Sequence, residues 1–192
     1  MTLKSDVVTF LRTNSNLHKI NFHFLTYYVY PKGYFTDVAD MIDKGRITVG
    51  VSAVLSGIAN YYMDIDELNV KPSFTITNWK HQAYLVHECT HALLDYQHLG
   101  SGSAHEHEAV AYLAEALFLE AGGYSSLGGT AIRTESHRIA KLLISGTYTV
   151  SPTDASSLVA FVAAEPLYAP KPPYESNGYD RSLKDSLLRA IP

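Results

Sequence analysis

Hydrophobic positions along this chain change their period once, near Asn78. Before that point, apolar residues fall in short runs separated by Pro, Gly and polar clusters. After it, they recur at helical spacing. Leu3 to Leu11 predicts a short first helix with Val7, Val8, Phe10 and Leu11 on its apolar side. Ile20 to Tyr30, INFHFLTYYVY, is aromatic and β-branched and predicts a strand, broken by Pro31-Lys32-Gly33. Thr36 is placed to cap a helix reaching Lys44, with Gly45 as its stop. Arg46 to Val51, Ile58 to Met63 and Asp66 to Lys71 predict three more short strands, the last ended by Pro72. Their short connections favour antiparallel pairing.

From Trp79 to Tyr96, apolar residues at Trp79, Ala83, Val86, Leu93 and Leu94 follow a helical period, with Thr77 or Asn78 as N-cap and Leu99 to Ser103 as the stop. Ala104 to Ala121 predicts a second strong helix, closed by Gly122-Gly123; Thr134 to Ile144 and Asp154 to Ala164 predict two more. Pro166 to Pro173 reads as an extended surface segment, and Asp180 to Ala190 as a short terminal amphipathic helix. Strands first and helices after predict an α+β fold in a single domain over residues 1–192. Within it, 1–76 carries mainly strands with short helices, 77–165 is helical, and 166–192 holds the proline-rich segment and terminal helix.

Composition narrows the function classes. Hydrophobic residues make up 46% and charged residues 18% of 192, which suits one buried core and excludes a disordered chain. The net charge of −4 and the lack of any basic run argue against nucleic acid as a partner. The longest uncharged stretch, Ile47 to Met63, is polar in places and shorter than the ~20 residues a membrane helix needs, so no membrane partner is expected. The N-terminal residues lack the apolar run of a signal peptide, and the lone Cys89 fits a reducing compartment; both point to a cytoplasmic location.

The chemistry concentrates in His87-Glu88-Cys89-Thr90-His91. On a helix, residues four apart stack one turn above the other, so His87 and His91 point the same way. Two neutral imidazoles so placed can grip one Zn²⁺, and Glu88 between them can take a proton from a water held there. Cys89 turns to the apolar side and Thr90 reads as neutral filler. A catalytic zinc site wants a third protein ligand. The next helix opens His105-Glu106-His107-Glu108, and a short connection makes the two helices an antiparallel hairpin. His91 and Glu108 then lie at similar heights above the turn, and Glu108 leads an inward face through Ala111, Tyr112 and Glu115. Glu115 is the competing ligand, or a support behind the first three.

VHECTHALLD followed by HEHEAVAYLAEALF resembles the gluzincin branch of the zincin metallopeptidases, and is closest to its small, minimal-fold members. The resemblance runs from about Leu68 to Ala121; the third-histidine pattern of the metzincin branch is absent. It implies a zincin-like fold: a small antiparallel or mixed sheet, an active-site helix hairpin and further C-terminal helices. It implies one Zn²⁺ per chain on His87, His91 and Glu108, with Glu88 as general base of a metallopeptidase that hydrolyses a peptide or protein substrate through a metal-activated water. It also implies that the strand before the active-site helix, here Leu68, Asn69 and Val70, is an edge that pairs with substrate. Glu115, Tyr112, His137 and Tyr148 are candidates for supporting the site or stabilising an oxyanion, with Tyr124 and Arg133 beside them; the spacing does not choose among them. Two other readings compete. A non-catalytic zincin-like domain would close the metal with a fourth ligand from His105 or His107 and serve binding or regulation. A di-iron bundle would need a second Glu-x-x-His, which the sequence lacks.

Overall fold

A computed structural model describes residues 2–97 and 103–168 of the chain. The architecture is α+β, as predicted. Thr2 caps α1 (Leu3–Thr13) in a reciprocal capping box with Ser5, and Val7, Val8, Phe10 and Leu11 are buried. After a 3₁₀ turn at Ser15–Lys19, β1 (Phe22–Phe24) and β2 (Tyr27–Val29) pair antiparallel. The stretch predicted as one strand is therefore a hairpin. Phe24 pairs with Tyr27, so the chain reverses over Leu25 and Thr26 with Leu25 at φ 53°. No Gly or Asn marks that turn, and the apolar pattern reads straight through it.

The helix predicted from Thr36 begins earlier. Gly33–Val38 is a π-helical stretch that runs directly into α2 (Ala39–Asp43), with no side-chain cap. Gly33 allows this approach, since a Cβ there would come within 2.5 Å of Leu93 Cδ2. Beside it, the buried Tyr34 hydroxyl meets Thr90 Oγ1 at 2.8 Å, so Thr90 is a tether and not filler.

β3 (Thr48–Val51), β4 (Ala59–Tyr62) and β5 (Glu67–Val70) form a sheet in the order β3-β5-β4. β5 runs antiparallel to β4 but parallel to β3, so the sheet is mixed. The short-connection rule holds for the sequence neighbours β4 and β5. It fails for β3, whose partner is not its neighbour in sequence. One functional expectation falls with it: Leu68, Asn69 and Val70 are hydrogen-bonded on both flanks and form no edge for a substrate. The edge next to the helices is β4.

Asn78 caps α3 (Trp79–Tyr96), and Ser103 with Glu106 forms a capping box on α4 (Ala104–Ala121). α5 (Ala131–Ile144) and α6 (Pro152–Ala164) start a few residues earlier than predicted because Thr130 and Ser151 are the actual caps. α3, α5 and α6 all pack on α4, which is buried nearly all round. One continuous apolar core joins the helices to the sheets. Among the described residues no helix is long and apolar enough to cross a membrane. Most of the proline-rich segment and the predicted Asp180 to Ala190 helix lie outside the described residues.

Candidate metal centre

A helix buried on every side should be apolar, yet α4 carries Glu108 and Glu115 inside, each at most 5% exposed. Both face α3. His87 and His91 stand one turn apart on it, also buried, with ring centroids 5.1 Å apart. Glu108 Oε2 lies 3.4 Å from His87 Nε2 and 3.7 Å from His91 Nε2. One donor atom from each of these residues lies within 4.8 Å of the other two, an arrangement that could hold a metal ion.

The electrostatics favour a cation at this point. Burial opposes a charged imidazole at His87, but the carboxylates of Glu108, Glu88 and Glu115 outweigh it and push its pKa up to about 9. Burial likewise opposes a charged Glu108, yet the imidazoles of His91 and His87 hold its carboxyl well below the usual range. A proton on His87 thus does part of what a metal ion would do. The donor set of two imidazoles and one carboxylate suits a divalent transition-metal ion.

The surroundings fit the same role. Glu115 Oε2 stands 3.6 Å from His87 Nδ1, the nitrogen turned away from Glu108. A metal on Nε2 requires the proton on Nδ1, the atom that faces this carboxylate. Arg133 Nε in turn donates to Glu115 Oε1 at 2.9 Å. Glu88 Oε2 accepts a 2.7 Å hydrogen bond from the backbone N–H of Tyr61 on β4. Burial raises the Glu88 pKa, against the pull of both imidazoles and that N–H.

The chain matches no family model, no curated protein and no solved structure.

The cluster of His87, His91 and Glu108 opens into a pocket of about 450 Å³. Ser56, Gly57 and the β4 residues Ala59, Asn60 and Tyr61 supply one wall. His87, Glu88 and His91 line it from α3, and Tyr112, Glu115 and Arg133 from α4 and α5. The Tyr112 ring meets His87 edge-on at 4.6 Å between centroids, and its hydroxyl lies 2.9 Å from the Tyr168 hydroxyl. Burial pushes the Tyr168 hydroxyl pKa up, and the charge of Glu108 adds to this.

Of the predicted supporting residues, Glu115, Tyr112 and Arg133 are brought to the site. Three are not. His137 lies one turn beyond Arg133 and pairs with Glu120 at 2.8 Å, near the far end of α4. Tyr148 is 60% exposed after α5, its carbonyl taken by His23 N–H. Tyr124 stacks on Trp79 at 5.1 Å. Neither proposed fourth ligand reaches the cluster: buried His107 sits edge-on to Tyr27, and His105 Nε2 lies 3.1 Å from the Tyr168 carbonyl. Sequence reasoning missed Tyr61, Tyr84 and Tyr168 among the pocket residues. Tyr84 could have been found, because it precedes His87 by one helical turn. Tyr61 and Tyr168 carry no local signal.

Proposed function

We propose that this protein is a zinc-dependent peptidase of the gluzincin type. The observation that carries the reading is the convergence of His87, His91 and Glu108 beside Glu88 in an open pocket. His87, His91 and Glu108 would hold the metal. Zinc there would act as a Lewis acid on a substrate carbonyl and lower the pKa of a water in the pocket. Glu88 has one oxygen fixed by Tyr61 N–H, which orients the carboxylate as the base that takes the water proton and delivers it to the leaving amine. Apart from Tyr61 N–H, which Glu88 takes, the outer flank of β4 has no strand partner among the described residues, so an extended peptide can add along it beside the cluster. Tyr61 also ties this edge to α3, its hydroxyl donating to Asp95 Oδ2 at 3.0 Å. Because His105 and His107 are engaged elsewhere, the geometry supports an open metal position over the closed, non-catalytic alternative.

Metal analysis and peptide digestion test this together. Protein purified without chelators should hold about one zinc per chain and cleave a peptide mixture read by mass spectrometry. Glu88→Gln should keep the zinc while cleavage drops about 10²- to 10⁴-fold. Full activity in that variant, or no stoichiometric metal in the wild type, overturns the reading.

A further inference from the structure

Arg133 enters the pocket from the first turn of α5, and its surroundings hold the guanidinium in place. Nε donates to Glu115 Oε1 at 2.9 Å, and the rings of Tyr84 and Tyr112 each lie 5.5 Å from Cζ. The side chain is 17% exposed. Its two Nη groups make no hydrogen bond to any described residue. Bracing Glu115 therefore uses one donor and leaves a rigid planar pair of N–H groups at the pocket wall. That fork matches a carboxylate in a way that a lysine ammonium would not.

We infer that Arg133 binds the C-terminal carboxylate of a peptide, which makes this site one that trims chains from their C-terminal end. The inference rests on the peptidase reading and names its substrate class. Tyr112 measures the reach: its ring is 4.6 Å from the His87 ring and 5.5 Å from the Arg133 Cζ. The Arg133 Cζ therefore lies at most about 10 Å from the centre of the His87 ring, a span that up to about three extended residues cover at about 3.3–3.6 Å each. Water adds across the peptide bond, its hydroxyl to the acyl carbon and its proton to the departing nitrogen. The leaving fragment is a free amino acid or a short peptide that ends in that carboxylate. Its carboxylate stays on Arg133 until release, while the rest of the chain lies toward β4.

Binding tests this separately from turnover. The probe is a pool of N-acetylated tripeptides, randomised at all three positions and prepared both as free acids and as C-terminal amides. Zinc-loaded Glu88→Gln protein is equilibrated with both pools by dialysis, and the retained peptides are counted by mass spectrometry. Free acids should be retained about ten-fold or more over amides. Adding Arg133→Met should erase that preference. Arg133→Lys, which keeps the charge but not the fork, should leave a reduced one, and it serves if the methionine variant does not fold. Equal retention of acids and amides, no retention of either, or a preference that survives both substitutions overturns the inference. With active wild-type protein, cleavage of acids and amides alike sinks carboxylate recognition but leaves the peptidase standing. Retention of acids without any cleavage does the reverse.

Discussion

Two groups of acidic and basic side chains in this molecule look alike on paper and behave differently. At the surface, Arg138 pairs with Glu135 on α5 and with Asp154 on α6. In the interior, His87 and His91 face Glu108, and Glu115 bridges His87 and Arg133. Hydrogen bonds to Arg138 hold the Glu135 carboxyl below its usual range, and Ser151 with Arg138 does the same for Asp154. Arg138 itself is 47% exposed, so water screens its two pairs and its loss costs little. The interior set has given up its water for fixed partners, and each member that disappears leaves another buried charge uncompensated. Close contact between charges is common to both. Desolvation is what separates a surface clasp from a site that can bind a cation.

The widest gap should appear on removing a candidate ligand. His91→Ala should abolish stoichiometric zinc, read by elemental analysis, whereas Arg138→Ala should leave it unchanged. Zinc at about 100 times its Kd should stabilise the wild type by ~2.7 kcal/mol, or roughly 5–10 °C in Tm by calorimetry, and should not stabilise His91→Ala. Glu115→Gln should sharpen the contrast without destroying the site: zinc affinity falls about 10- to 100-fold in a chelator competition, because His87 loses its charged support. The neutral tether nearby gives an intermediate case. Tyr34→Phe should cost about 1–2 kcal/mol in denaturant unfolding, since it leaves Thr90 Oγ1 with one partner fewer inside the core. Arg138→Ala should cost least, under about 1 kcal/mol. Its pH dependence has a fixed sign. Glu135 and Asp154 have folded pKa values below their ordinary 4.5 and 3.8, so their contribution is complete above those values and is lost as pH falls through the lowered ones. The difference in Tm between wild type and Arg138→Ala should therefore shrink on acidification below about pH 4. A difference that grew there would mean that Arg138 acts otherwise.

Local patterns carried much of the fold. The helical period and the caps at Asn78 and Ser103 place α3 and α4, and the spacing of His87, Glu88 and His91 fixes which of them share a helix face. Glu108 does lie beside them, as the sequence predicts, because a short helix hairpin leaves few ways to pair heights. The Leu25 turn was hidden because a leucine sits where the backbone needs a left-handed residue. The edge strand was misplaced because sequence order says which strands are near neighbours, not that β5 inserts between β3 and β4. His137 and Tyr148 failed as supports for a related reason. Nothing local says how α5 crosses α4, and that crossing brings Arg133 to Glu115 while carrying His137 to Glu120.

By itself, then, the chain's order of residues determined its helices, their caps and the donor atoms that share one helical face, because those depend on neighbours within a turn or two. The tertiary structure alone decided which strand lies open beside Glu88, which carboxylate stands behind His87, and that Arg133, Tyr84 and Tyr168 meet in one pocket. Such contacts join residues far apart along the chain. They are set by how whole elements bury their apolar faces against one another, and no short window of sequence records that.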